Sequence, residues 1–166
     1  MKHLLLITII SLLGISTSFA QFSSSLKAKE VRVDVKLLKD TVALGGAIPI
    51  TIMLTNTSKA DKKFLLDKPK AVGCPWGVWA SIINVKTKQQ AAMYQSRAIF
   101  SNMVYTEEML NDSYYTVKPG ESISAGYDLL DVVMVSYNNR YLAKGDYELQ
   151  LTYYNSVSKK VKFTVM

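Results

Sequence analysis

Apolar and polar residues alternate along most of this chain, and the alternation predicts β-strands with one buried face. Val31, Val33, Val35 and Leu37 alternate with Arg32, Asp34 and Lys36. Ile48, Ile50, Ile52 and Leu54 form a second row, with Pro49 near its start, where no ladder donor is lost. Val78, Ala80 and Ile82 oppose Trp79, Ser81 and Ile83; Tyr147, Leu149, Leu151 and Tyr153 form another row, and Val161, Phe163 and Val165 a last one. Turn signals separate them. Gly45-Gly46, the polar run Asn56 to Lys62, Lys86 to Gln89 and Asn155 to Ser158 each break the period. In Lys118-Pro119-Gly120-Glu121 the proline pre-sets one central φ and the glycine accepts the positive φ of the next.

The pattern predicts an all-β, antiparallel sandwich of the immunoglobulin-like kind, with about seven to nine short strands. Two stretches fit it poorly. Lys68 to Gly77, with two prolines and two glycines, reads as loop. Residues 90–112 carry apolar positions at neither a spacing of 2 nor of 3.6 and read as an irregular insertion, with Thr106 placed to cap one helical turn. Glu121 to Leu130 reads as a strand running into a loop.

The first residues predict a leader rather than a part of the fold. Lys2 and His3 precede an apolar run, Leu4 to Leu13, and Ser18-Phe19-Ala20 offers small residues for cleavage. A run of about ten falls short of the roughly 20 residues that span a bilayer. The division expected is therefore a signal peptide at 1–20, a polar lead at 21–29 and one sandwich domain at 30–166, in the periplasm or outside the cell, with no transmembrane segment after cleavage. The roughly 146 remaining residues suffice for one core and not for two.

Composition then narrows the chemistry. Loss of Lys2 leaves 19 basic against 13 acidic residues, a net charge of about +6. The cations are scattered in small groups such as Lys59, Lys62 and Lys63, or Lys159, Lys160 and Lys162, as expected of solvated turns and strand edges. No nucleic-acid partner is expected. The single cysteine, Cys74, allows no internal disulfide. The single histidine, His3, leaves with the leader, which removes Ser-His-Asp and Cys-His catalysis in cis. No enzyme activity, no cofactor and no metal is expected. Asp128, Asp131 and Asp146 could be drawn together around calcium, but no calcium-loop spacing connects them.

Three pieces of the chain carry a resemblance. Ile52 through Asn56 to Ser58, Val117-Lys118-Pro119-Gly120-Glu121-Ser122, and Leu142 through Gly145 to Tyr147 are similar to bacterial immunoglobulin-like modules. Their order resembles in particular the intracellular proteinase inhibitor-like sandwich family and the propeptide domains of some fungal metallopeptidases. Each piece also has a scaffold reading, and a tyrosine two residues after a glycine resembles the tyrosine corner, whose hydroxyl ties a strand start to upstream backbone. The resemblance implies a sandwich that inhibits or regulates a peptidase. No reactive loop of that family matches here residue by residue.

The candidate binding residues are Cys74, Trp76 and Trp79 in Gly73-Cys74-Pro75-Trp76-Gly77-Val78-Trp79, together with Tyr94 and Arg97. A lone thiol beside two indoles suits insertion into a partner's cleft, and tyrosine with arginine suits a contact surface. The competing expectation is that Trp79 plugs the core, leaving Trp76 the exposed one. The function expected is non-covalent binding of a protein, a peptidase among the candidates; the alternative is an accessory envelope protein that binds glycan or other subunits. The oligomeric state is open.

Overall fold

The computed structural model describes residues 30–66, 77–94, 114–134 and 141–166. The predicted leader and the stretches around Cys74 and Arg97 lie outside the described residues.

The alternating rows become strands β1 (Val31–Leu37), β3 (Pro49–Asn56), β5 (Val78–Asn84), β10 (Gly145–Tyr153) and β12 (Val161–Val165). Between them lie β2 (Thr41–Val42), β4 (Lys62–Leu65), β6 (Gln90–Tyr94), β7 (Tyr114–Val117), β8 (Ser122–Asp128), β9 (Val133–Met134) and β11 (Ser156–Val157). One helical turn, α1 (Leu129–Val132), follows β8. Twelve strands among the described residues exceed the seven to nine expected, because several of the additional ones are two-residue pairings too short to show a period.

The described residues are mostly β, in several antiparallel sheets that do not close into a barrel among those residues. One sheet has the order β1-β3-β8 and a larger one the order β2-β12-β10-β5-β6-β9, with β11 paired to β10; β4 and β7 form a separate pair. Among the described residues all pairings are antiparallel except that of β2 with β12. The rows of the two larger sheets meet in one cluster. Val31 and Val33, Ile50, Ile52 and Leu54 from the first face Val78, Ala80, Ile82, Leu149, Leu151 and Phe163 from the second, all buried. Each such aliphatic side chain contributes about 1.5–3 kcal/mol over its exposed state, so this core carries the fold.

Turn chemistry follows the sequence where glycine was needed. Gly120 has φ +78° and the Glu121 amide donates to the Lys118 carbonyl at 3.0 Å, closing the Pro-Gly turn. Pro49 occupies the first position of β3, where its carbonyl still accepts from Leu38.

Three expectations are corrected. The proposed insertion at 90–112 begins as regular structure: residues 90–94 are strand β6 on β5, entered through a register shift between Ile82 and Ile83. The end of Glu121 to Leu130 is helical rather than loop, because Asp128 caps α1 by accepting from the Leu130 amide. Trp79 does not plug the core. Val78, Ala80 and Ile82 take the buried face of β5, and strand alternation puts Trp79 half-buried on the other face, opposite Thr152.

A buried tyrosine joins two sheets. The Tyr153 hydroxyl accepts from the Leu65 amide and donates to the Leu65 carbonyl, both at 3.0 Å, while its ring meets Phe64 edge-on. Burial, and then the neighbouring Tyr154, push this phenol far above its ordinary range. An unfolded tyrosine ionises near pH 10, whereas the folded one keeps its proton. The stability held in that difference is therefore full below about pH 10 and is lost as pH rises beyond it. Urea unfolding of the native chain between pH 8 and pH 11 should show this alkaline loss, and Tyr153→Phe should flatten it. At pH 8 the same variant, leaving both Leu65 groups unpaired, should cost about 1–3 kcal/mol.

Candidate functional site

Two of the three pieces that carry the sequence resemblance, Ile52 to Ser58 and Val117 to Ser122, meet at one end of β8. Asn56 is fully buried at the end of β3. Its Nδ2 donates to the carbonyls of Ala60 (2.8 Å) and Val117 (2.7 Å), and its Oδ1 accepts from the amide and hydroxyl of Ser58 (2.9 and 2.7 Å). All four side-chain capacities are filled. Its backbone holds the Pro-Gly turn: the Asn56 amide donates to the Glu121 carbonyl and the Gly120 amide to the Asn56 carbonyl. Next to it the Thr55 and Ser122 hydroxyls are 2.8 Å apart.

The far end of β8 is fastened as well. One oxygen of Asp128 accepts from the Ile48 amide and the Leu130 amide, each at 3.1 Å, which ties β8 to the approach of β3 and to α1. Between these anchors β8 runs straight beside β3, with Ile52 opposite Ala125 and Leu54 opposite Ile123.

The direction of the β8 backbone groups follows from the ladder. Leu129 donates to Ile48 and Asn56 to Glu121, so these are hydrogen-bonded pairs, and in an antiparallel ladder such pairs alternate. Tyr127, Ala125 and Ile123 therefore aim their amides and carbonyls at β3. Ser122, Ser124 and Gly126 aim theirs the other way, off the edge of the sheet, and among the described residues no strand pairs with β8 on that side. The side chains divide likewise. Ser122, Ser124 and Gly126 are exposed, whereas Ile123 and Ala125 are half-buried against the core.

No charge guards this edge between Ser122 and Tyr127. The opposite edge of the same sheet, β1, carries Arg32, Asp34 and Lys36, and the Arg32 guanidinium pairs with Asp34 at 2.9 Å. Charged edges discourage strand addition, and uncharged, unbulged ones permit it. Beside β8 an open hollow of about 370 Å³ is lined by Leu38, Pro49, Gly126, Asp128 and Asp131 among others. Leu38 is 60% exposed there.

Of the sequence-derived candidates, only Trp79 and the backbone of Tyr94 fall within the described residues. Cys74, Trp76 and Arg97 lie outside the described residues. Tyr94 ends β6 opposite Val133, with its side chain outside the description, and Trp79 lies on β5 in the other sheet. Asp146 accepts from the Thr164 hydroxyl at 2.7 Å, far in topology from Asp128, and among the described residues no three His, Cys, Asp or Glu side chains gather as a metal site would need. The β8 edge was missed because strand order, unlike strand period, leaves no local mark in sequence.

No family model and no curated protein matches the chain. Solved structures similar to it include a Pseudomonas fluorescens alkylpurine DNA glycosylase bound to abasic-site DNA, at 13% identity and TM-score 0.47 over 82% of this chain. Also similar are a Listeria innocua β-glucosidase variant in complex with laminaribiose (11% identity, TM-score 0.45) and a β-glucosidase of intestinal bacteria involved in saponin metabolism (16%, TM-score 0.44), each over 87% of this chain. The chain spans 30% of the glycosylase's length and 17% of each glucosidase's.

Proposed function

We propose that this chain is a secreted, immunoglobulin-like module that binds another protein non-covalently by offering the β8 edge to an extended strand. Support for the architecture comes from Tyr147, whose hydroxyl donates to the Ala143 carbonyl at 2.7 Å, the tie a tyrosine corner makes. Further support comes from the way Asn56 joins the Thr-Asn-Thr-Ser and Lys-Pro-Gly-Glu-Ser pieces in space. Secretion rests on the apolar run Leu4 to Leu13 with Ser18-Phe19-Ala20 after it. The module works without chemistry of its own, since no histidine follows His3 to serve as a base.

The observation that carries the binding reading is the row of outward backbone groups at Ser122, Ser124 and Gly126. In strand addition the main chain supplies the bonds, and alternate side chains supply the selectivity. A partner strand on β8 would rest apolar residues beside Ile123 and Ala125 and small polar ones beside Ser122 and Ser124. A peptidase blocked in this way, as the resemblance implies, would be occluded rather than covalently trapped.

A photoreactive side chain placed at Ser124, and separately at Asp34 on β1, tests this in secreting cells. Adducts from position 124 with none from position 34 are expected, and mass spectrometry of the adduct separates a peptidase from an envelope component. Equal adducts from both edges, or none from 124, would sink the reading.

A further inference from the structure

We infer that the strand seated on the β8 edge in the resting protein is β8 of a second copy, paired antiparallel about a two-fold axis at Ala125. This deepens the reading of β8 as a binding edge and rests on it.

Two copies of an edge can pair only by bringing outward residues opposite outward residues, because only those have amides and carbonyls to exchange. On β8 these are Ser122, Ser124 and Gly126, with the amide of Asp128, whose carbonyl opens α1. Several antiparallel offsets satisfy that condition, but one alone engages the whole strand. With Ala125 opposite its own counterpart, Ser124 faces Gly126 and Ser122 faces Asp128, each twice by symmetry. Shifting the offset by one allowed step in either direction leaves residues at the strand ends unmatched.

The side chains agree with that offset. On the core-facing side Ile123 comes opposite Tyr127, a β-branched residue against an aromatic one, which is a favourable cross-strand pair. Ala125 meets Ala125, the smallest pair available at the axis. These are the positions now only half-buried at Ile123 and Ala125, so the second copy would complete their burial. On the outer side the Ser122 hydroxyl meets a carboxylate, Asp128, that can accept from it. The outer hollow is not filled by this pairing.

Charge points the same way. No ionisable group lies between Ser122 and Tyr127, so the approach sets no like charges against each other in the middle of the strand. Antiparallel pairing brings the exposed Lys118 end of one copy to the exposed Asp131 end of the other, twice. Glu121, at the same turn, falls on the other face of the strand from Asp128. A copy that paired through β1 instead, about Asp34, would set Arg32 opposite Lys36 and Asp34 opposite Asp34, like charges in each pair. The interface is isologous and closes on itself, giving a continuous six-stranded sheet of two β1-β3-β8 units and no open fibre.

Cysteine cross-linking of the whole secreted chain tests the register. In a Cys74→Ser background, Ala125→Cys would sit in a non-hydrogen-bonded pair with Cα atoms about 4.5 Å apart. That separation lies within the range of about 4.4–6.8 Å that a disulfide spans. Mild oxidation should link most of the Ala125→Cys chain into a reducible dimer, at least tenfold more than Arg32→Cys on β1 in the same background. Sedimentation at tens of micromolar should give a dimer for the native chain and a monomer for Ser124→Pro.

Cross-linking at Ala125→Cys no greater than at Arg32→Cys, or a monomer at every concentration, would overturn the self-pairing. Photo-adducts at position 124 with a foreign protein and none with a second copy would overturn it while leaving the edge a binding surface. The absence of any adduct at position 124 would remove both.

Discussion

Asn56→Asp should destabilise the protein by about 4 kcal/mol at pH 7, the largest loss expected from any single isosteric change in the chain. The substitution keeps the shape and the Oδ1 contacts with Ser58, but it turns the nitrogen that donates to Ala60 and Val117 into an oxygen. Two carbonyls then face a carboxylate at a fully buried position. Protonation relieves part of this, because an Asp-OH can donate to one carbonyl. The raised pKa of that new acid makes the deficit smallest in mild acid and fullest at neutral pH. Asn56→Ala, which leaves the same carbonyls unpaired without burying charge, should cost less, about 2–3 kcal/mol. Urea unfolding at pH 5 and pH 7 separates the two; equal losses for Asp and Ala at pH 7 would mean that the missing Nδ2 donors set the whole cost and that no buried charge adds to it. Because Asn56 holds the turn that begins β8, Ile123, whose amide faces β3 at Leu54, should gain solvent exchange in both variants before the core opens.

Ala125→Pro should cost about 3 kcal/mol or more, whereas Ser124→Pro, one residue away, should cost less than half as much. The two positions have similar strand surroundings and differ in where the amide points. At Ala125 proline deletes a donor to β3 at the Ile52 pairing, in the middle of the sheet's central junction. At Ser124 it deletes a donor that faces outward. Melting each variant at micromolar concentration or below, where self-association adds nothing, measures this asymmetry. Similar losses at both positions would mean that the assigned direction of the β8 ladder is wrong.

A smaller effect is expected at Tyr147→Phe. Loss of the hydroxyl tie to Ala143 should cost about 1 kcal/mol while the stacked contact with Phe163, 5.5 Å between ring centroids, is retained.

Alternation made β1, β3, β5, β10 and β12 legible, since each has one face in a shared core and the period is then imposed on the sequence. The Pro119-Gly120 turn and the tie at Tyr147 were legible because their backbone demands select particular residue types. The short pairings were not. Thr41-Val42 joins β12 through two residues, and two residues hold no period. Gln90 to Tyr94 carries no alternation that its pairing with β5 would require, because the strand is entered through a register shift. α1 did have a local signal, Asp128 before Leu129-Leu130-Asp131, but four residues of helix are outweighed by the strand that precedes them. At Trp79 the phase of the strand and the size of the side chain gave opposite answers, and phase prevailed.

The β8 edge was hardest to read for a different reason. Ser122-Ile123-Ser124-Ala125-Gly126 looks in sequence like any amphipathic strand. Its meaning comes from being last in the order β1-β3-β8, which depends on chain topology rather than on the strand's own residues. The contrast with β1 is visible in the sequence only once both are known to be edges.

Amide exchange at single-residue resolution, with the chain free at low concentration and then bound to the partner that cross-linking identifies, reads strand addition at β8 residue by residue. Fast exchange is expected at Ser122, Ser124 and Gly126 in the free chain, slow exchange at Ile123, Ala125 and Tyr127, and at least tenfold slowing of Ser124 and Gly126 on binding. Slowing confined to β1 or to the larger sheet, with Ser124 and Gly126 unchanged, would contradict strand addition at β8.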